Sequence, residues 1–164
     1  MVLAWVVILL LALAMSGLLR QVKELQAQVP ASSAVPVGLA PGTPAPVIPS
    51  LSRRDRPALL LFAEPGCDSC EMVLPLLEDF GNRVDGRACV AAVTREAMPD
   101  DHSRGLDVVV ESEAFTQYRI SFVPAAVMIG RDGIVLNSQP VGSVDRMRDF
   151  IRSFEAVAVK GGTS

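Results

Sequence analysis

The pattern of hydrophobic and polar positions divides the chain into three parts. Residues 2–19 form one uninterrupted apolar run, residues 30–50 are broken up by prolines, and short apolar runs alternate with helical patterns from residue 51 onward. We therefore predict an anchor helix with an amphipathic extension at 1–29, a spacer at 30–50 and one globular domain at 51–160. A flexible tail is predicted at 161–164.

The first apolar run predicts a helix that crosses a lipid bilayer. Val2 to Leu19 holds no charged residue, and a helix of that length spans about 27 Å, close to the thickness of the hydrocarbon core. A cleaved signal peptide is the alternative, because Ala12-Leu13-Ala14 resembles a cleavage site. No Lys or Arg precedes Arg20, however, and a signal peptide has a basic N-terminal region. We therefore predict an uncleaved single-pass anchor.

The residues between the anchor and the domain predict a helical extension and then a spacer. One apolar stripe continues the helix to residue 29 and consists of Leu18, Val22, Leu25 and Val29. It fits a short coiled-coil contact with a second copy, or a helix lying on lipid or on its own domain. Half of the 12 prolines then fall within residues 30–49. Such a stretch forms neither a helix nor a central strand, so we predict a semi-extended spacer.

The globular part predicts an α/β domain. Apolar runs predict five strands, at Ala58–Ala63, Ala88–Thr94, Leu106–Val110, Ala125–Gly130 and Ile134–Asn137. Helices are predicted at Asp68–Phe80, Ser112–Tyr118 and 144–157, with Ser112 and Ser143 as N-caps and Gly81-Asn82 ending the first helix. The buried side of that helix is predicted to carry Met72, Val73, Leu76, Leu77 and Phe80. This order predicts a central mixed sheet, part parallel and part antiparallel hairpin, flanked by helices.

Composition and charge narrow the function classes. The net charge of −3 at pH 7, with the charges scattered, argues against nucleic acid as a partner. Three cysteines are too few for a disulfide framework, and their odd number leaves one outside any pair. The neighbouring Cys67 and Cys70, with the distant Cys89, fit a redox or metal role better than a disulfide-stapled fold.

Cys67 and Cys70 stand where a predicted strand gives way to a predicted helix. At the start of a helix, both sulfurs lie within one helical turn and can form a disulfide. The unpaired N–H groups at that helix end favour the thiolate of Cys67. Inert thiols or half of a zinc site are the alternatives, but Cys89 and His102 are not spaced as the remaining zinc ligands would be. We predict a redox-active disulfide, no metal and no other cofactor, with Cys89 as a small buried hydrophobe.

Further residues carry a resemblance to the thioredoxin fold. Pro75 follows Cys70 by five residues, as does the proline of the active-site helix in thioredoxins. Val123-Pro124, just before the predicted hairpin, matches the position of the family's cis-proline. The stretch from Tyr118 to Pro124 and the strand after it resemble membrane-anchored TlpA-like proteins. The resemblance implies a thioredoxin-like fold in which Pro124 lies against the disulfide.

The N-terminal half resembles the methylamine-utilisation MauD-type branch of these proteins. Arg20-Gln21-Val22 after the anchor and Gly42-Thr43-Pro44-Ala45-Pro46 further on carry this resemblance. Four features depart from the pattern. Leu61 replaces the buried acid of thioredoxins, Gly66 replaces a frequent aromatic residue, and Val123 replaces the small or hydroxyl residue common before the cis-proline. Little chain is left for the family's N-terminal β-hairpin. Glu64 is the nearest carboxylate that could replace the missing proton acceptor.

These residues together predict a membrane-anchored thiol–disulfide oxidoreductase. Cys67 attacks a disulfide, Cys70 resolves the mixed disulfide, and Pro124 with the backbone of Val123 holds a substrate strand. Asp68 opposes a thiolate beside it, so we expect the pKa of Cys67 to be less depressed than in strong oxidants. This favours a reductant or an isomerase over an oxidase.

The partners and the location follow from the same resemblance. Protein disulfides or thiols are the expected substrates, and a membrane or soluble redox partner supplies or removes electrons, because no flavin- or nicotinamide-binding motif is visible. Arg20 and Lys23 favour a cytoplasmic domain by the positive-inside rule, whereas the resemblance favours the extracytoplasmic side, which we predict. The alternative function is a non-enzymatic assembly or metal-handling factor that uses a degenerate thioredoxin fold for docking.

Overall fold

The computed structural model of the chain describes residues 37–51, 55–84, 86–98 and 106–160. The predicted anchor at residues 2–19, its extension to residue 29, His102 and the predicted tail lie outside these ranges. Within them, the helices are too short or too polar to cross a bilayer.

The domain is built on one mixed sheet of five strands. The elements in chain order are β1 (Ala58–Phe62), α1 (Asp68–Val84), β2 (Cys89–Thr94), β3 (Asp107–Val110), α2 (Ser112–Gln117), β4 (Ala125–Ile129), β5 (Val135–Pro140) and α3 (Val144–Lys160). The strands lie in the order β3-β2-β1-β4-β5, with β1, β2 and β3 parallel and with β4 antiparallel to both β1 and β5. The predicted α/β fold class and mixed sheet are confirmed.

The two faces of the sheet carry two separate apolar clusters. Side chains alternate along a strand, so Leu59 and Leu61 of β1 point to one face while Leu60 and Phe62 point to the other. The first cluster packs these leucines against α1 and α3, and the second packs Leu60 and Phe62 against α2 and the segment ahead of β1. Strands β1, β2 and β4 are buried along their whole length, which agrees with their continuous apolar runs.

Helix α1 differs from its prediction at its end and on its buried face. It runs past Gly81 to Val84, because the N–H and guanidinium of Arg87 hydrogen-bond the last carbonyls, including that of Val84. Met72, predicted to be buried, is 53% exposed. The buried positions follow the 3.6-residue period from Cys70, which puts Met72 on the opposite side. They are Cys70, Val73, Leu74, Leu77 and Phe80.

The predicted N-caps of the other two helices, α3 and α2, can be compared with the structure. At α3 the prediction holds, because the Ser143 Oγ accepts a hydrogen bond of 3.4 Å from the N–H of Arg146. At α2 it is wrong: Glu111 is the N-cap, its side chain makes no capping bond, and Ser112 is already helical. The backbone of Glu111 is held instead by a bond from its N–H to the carbonyl of Thr94 at the end of β2.

Part of the predicted spacer is packed on the domain. The N–H of Gly42 donates to Val135 at 2.8 Å, the N–H of Val135 donates to Thr43 at 2.9 Å, and the hydroxyl of Tyr118 donates to the carbonyl of Pro46 at 2.8 Å. Three apolar side chains of this segment are buried in the second cluster: Val37, Leu39 and Ile48. The residues between the prolines supply hydrogen bonds and apolar surface, so in the structure residues 37–51 line the outer side of β5 and the second cluster.

Candidate active site

Cys67 and Cys70 form a disulfide at the start of α1. Their Cα atoms are 5.2 Å apart. Cys67 directly precedes the helix, and its carbonyl accepts hydrogen bonds from the N–H groups of Cys70, at 2.8 Å, and Glu71, at 3.1 Å. The N–H of Cys70 also lies 3.3 Å from the Sγ of Cys67. The first turn of α1 therefore places the N–H of Cys70 and the positive end of the helix dipole beside this sulfur.

The two sulfurs differ in their access to solvent. Cys70 is 0% exposed and belongs to the first apolar cluster, whereas Cys67 is partly exposed and packs on the edge of that cluster. A reagent or a partner protein can therefore reach Cys67 but not Cys70. Cys67 is therefore the accessible sulfur of the pair.

Gly66, the residue before the pair, keeps the approach to the disulfide open. Its φ of +72° is in the left-handed region, which favours glycine over the aromatic residue that is frequent there in similar proteins. Apart from its two chain neighbours, no residue of the described chain has an atom within 4 Å of the position that a Cβ would occupy. The space beside the exposed sulfur is therefore open.

Val123 and Pro124 lie at the same end of the sheet as the disulfide. Phe62 of β1 pairs with Ala125 of β4, so the residues before β4 stand beside the loop that leaves β1 toward Cys67. The Val123–Pro124 peptide is cis. The carbonyl of Pro124 accepts a hydrogen bond of 3.0 Å from the N–H of Val141, and Val123 contacts both apolar clusters.

Glu64 is held by an ion pair with Arg95. Glu64 follows β1 and Arg95 follows β2, and the carboxyl ends of these parallel strands meet at one edge of the sheet. The guanidinium of Arg95 also lies 4.2 Å from the centre of the Phe115 ring. Arg95 was not among the predicted site residues, because its contact with Glu64 depends on the pairing of β1 with β2. The predicted role of Glu64 in proton transfer stays a prediction.

The remaining positions noted in the sequence differ in their relation to the disulfide. Leu61 is 0% exposed and shares the first cluster with Cys70, so an apolar side chain fills this position. Pro75 lies inside α1 and is exposed, and it leaves the carbonyl of Glu71 without its usual helical donor. Within the described ranges, the His, Cys, Asp and Glu side chains form no group of three that could hold a metal ion.

Solved structures share this fold across most of the chain. A protein from Chlorobium tepidum, named as a candidate thiol:disulfide interchange protein DsbE, aligns with a TM-score of 0.60 over 73% of this chain and 99% of its own, at 16% identity. The thioredoxin domain of a thiol-disulfide oxidoreductase from Bacteroides vulgatus aligns with a TM-score of 0.54 over 71% of this chain and 98% of its own, at 15% identity. The domain therefore has the thioredoxin-like fold.

Curated relatives refine this result. The methylamine utilization protein MauD of Methylobacillus flagellatus is 28% identical over 155 residues, which cover 82% of this chain and 75% of the relative. MauD of Methylophilus methylotrophus is 28% identical over 154 residues, covering 82% and 73%. The chain is similar to MauD over about four fifths of its length. The resemblance to thioredoxin-like proteins of the MauD type, which the sequence predicted, is thus confirmed, while no family model matches the chain.

Proposed function

We propose that this MauD-type chain is a thiol–disulfide oxidoreductase that works through Cys67 and Cys70. The observation that carries the proposal is the disulfide at the start of α1, with one sulfur accessible and the other buried. A pair of this kind stores two electrons and exchanges them with a partner protein without any further cofactor. The thioredoxin-like fold of the solved neighbours supports the same reading.

The different surroundings of the Cys67 and Cys70 sulfurs determine the order of the exchange steps. In the reduced chain, the N–H of Cys70 and the helix dipole stabilise a thiolate at Cys67, which attacks a partner disulfide and forms a mixed disulfide. Cys70 then attacks the sulfur of Cys67, so the internal disulfide forms and the partner leaves with both of its sulfurs reduced. Run in reverse, the same steps oxidise a partner dithiol.

Val123 provides a docking position for the backbone of a substrate. Its N–H and carbonyl make no hydrogen bond to the rest of the described chain, and it lies next to Pro124 at the active-site end of the sheet. An extended segment of a substrate protein can pair with these groups. Phe122 is 43% exposed beside them and offers an apolar contact to the same segment.

Replacing Cys70 with Ser is expected to trap mixed disulfides between Cys67 and partner proteins. The variant keeps the accessible sulfur and the helix start but lacks the thiol that completes the exchange. Non-reducing electrophoresis and mass spectrometry of the full chain purified from its own cells would identify the adducts. Cys67→Ser/Cys70→Ser is the matched control and should trap none. Absence of adducts from the single variant would contradict the proposal.

A non-enzymatic docking factor is the second candidate. The apolar Leu61, which stands where thioredoxins carry an acid and lies in the cluster of Cys70, is the observation that favours it. Such a factor would bind its partner with the disulfide intact and would need neither cysteine. The trapping experiment separates the two functions, because a docking factor forms no adduct and keeps its partner in the Cys70→Ser variant.

We also propose that residues 2–19 anchor the chain in the cell membrane and that its domain acts on exported proteins outside the cytoplasm. The apolar run without charges supports the anchor, and the outward placement rests on the persistence of disulfides in oxidising compartments. A separate redox partner, in the membrane or soluble, would return the pair to its working state.

A thiol reagent that cannot cross the membrane tests the outward placement. We expect it to label reduced Cys67 in intact cells, because this sulfur is the accessible one. The Cys67→Ser variant is the control for the site of labelling. Labelling of Cys67 that appears only after the cells are lysed would place the domain in the cytoplasm and contradict the prediction.

A further inference from the structure

Thr94, the last residue of β2, carries a buried hydroxyl without a partner. Its side chain is 0% exposed, and its Oγ1 makes no hydrogen bond within the described part of the chain. The hydroxyl of the buried Tyr118, by contrast, donates to the carbonyl of Pro46. A buried hydroxyl without a partner destabilises a fold, so this exception calls for a physical reason.

The side chain of Thr94 points to the face of the sheet that holds Cys70. Val90 and Ala92 of β2 belong to the first cluster together with Cys70, and Thr94 follows Ala92 by two residues, so it points to the same side. The pairing of β1 with β2 places Thr94 level with Ala63, which also belongs to this cluster.

The direction of α1 brings its first turn toward this end of β2. A Cβ built on Gly81, near the end of α1, would lie 3.7 Å from the side chain of Val90, near the start of β2. Because the chain reverses direction between the two elements, the start of α1 lies toward the end of β2. Cys70 and Thr94 therefore share one face and one end of the sheet.

Opening of the disulfide changes what Cys70 requires. Its sulfur becomes a thiol or a thiolate inside a cluster whose other members are apolar, and Leu61 offers it no polar group. The charged side chains nearest to it in sequence are not buried: Glu64, Asp68 and Glu71. We propose that the Thr94 hydroxyl donates a hydrogen bond to the Cys70 sulfur in the dithiol and mixed-disulfide states, and so acts as a positioning residue for the second step of the proposed function.

In the second step, Cys70 attacks the mixed disulfide at Cys67, and atoms and electrons balance without a contribution from Thr94 other than its hydrogen bond. The Cys70 sulfur forms a bond with the Cys67 sulfur as the bond between Cys67 and the partner breaks. Cys70 is oxidised, the departing partner sulfur is reduced, and the proton of the Cys70 thiol ends on that partner sulfur. Thr94 keeps its own proton throughout and supplies a hydrogen bond to the Cys70 sulfur, which favours the thiolate that attacks Cys67 before the negative charge passes to the departing partner sulfur.

Replacing Thr94 with Val tests the proposal, because Val has nearly the same shape and lacks the hydroxyl. The dithiol state loses its hydrogen bond and the disulfide state loses none, so we expect the equilibrium to shift about tenfold toward the disulfide. This is a reduction potential about 30 mV more negative, measured on the full chain in glutathione or dithiothreitol redox buffers. Resolution of a preformed mixed disulfide should become about tenfold slower. Thr94→Ser keeps the hydroxyl and should stay close to the unmodified chain.

Two outcomes would overturn the role of Thr94. One is an unchanged potential and resolution rate in Thr94→Val, and the other is a Thr94→Ser variant that behaves like Thr94→Val, which would assign the effect to packing. Neither readout depends on a protein substrate. A chain that equilibrates with small thiols but never reacts with protein disulfides would disprove the proposed function and still decide the role of Thr94.

Discussion

Replacing Cys67 with Ser is expected to abolish thiol–disulfide exchange, with a loss of about a thousandfold or more in rate. Cys67 is the accessible sulfur of the pair and the one that receives the N–H of Cys70, whereas Cys70 is 0% exposed and cannot meet a partner disulfide directly. A serine hydroxyl stays protonated where the thiol ionises. Reduction of insulin by the full chain and exchange with glutathione would measure the loss.

Cys89→Ala is the matched control, because it removes the third thiol without touching the pair. Cys89 is buried in β2 and belongs to the second cluster, on the face of the sheet opposite Cys70. We expect this variant to retain most of the exchange activity. Exchange that survives in Cys67→Ser, or is lost in Cys89→Ala with the fold intact, would disprove the assignment of the nucleophile.

The sheet and the position of the disulfide could be predicted because their signals are local. The continuous apolar runs of β1, β2 and β4 exclude solvent-facing strands, and the turn between β4 and β5 follows from Arg131-Asp132-Gly133. Cys67 and Cys70 are three residues apart at a strand-to-helix transition, so their proximity needed no knowledge of distant contacts.

The differences between prediction and structure arise from hydrogen-bond partners that the apolar pattern of the sequence does not show. Gly81 resembles a helix end, but Arg87 binds the carbonyls of the next turn and α1 continues to Val84. Residues 37–51 were predicted to form a spacer because prolines oppose regular structure. Their N–H groups and carbonyls nevertheless form hydrogen bonds with β5 and Tyr118. Arg87 is close in sequence, but its bonds to the helix carbonyls leave no apolar pattern, whereas β5 and Tyr118 lie far along the chain from residues 37–51.

For the same reason, the sequence alone did not predict that Thr94 and Arg95 lie near the active site. In the sequence they are the polar end of an apolar strand, where a threonine and an arginine are ordinary. Their importance depends on the parallel pairing of β1 with β2, which brings Arg95 to Glu64 and Thr94 to the face of Cys70. The pairing of two strands depends on the fold of the whole chain and cannot be predicted from a short sequence motif.

Replacing Phe62 with Ala is expected to lower the free energy of unfolding by about 3–5 kcal/mol. Phe62 is 0% exposed, and its ring centre lies 5.1 Å from that of Phe115 and 5.3 Å from that of Tyr118 in the second cluster. Truncation leaves a cavity between β1 and α2 and removes both ring contacts. Denaturant unfolding of the oxidised full chain, followed by circular dichroism, would measure the difference.

Phe122→Ala is the matched control, since the same side chain is removed at a position that is 43% exposed. We expect its free energy of unfolding to change by less than about 0.5 kcal/mol. Phe62 and Cys70 lie in different clusters on opposite faces of the sheet, so the folded fraction of Phe62→Ala should keep the reduction potential of the unmodified chain. Equal stability losses in the two variants would show that the second cluster does not hold the fold together as described.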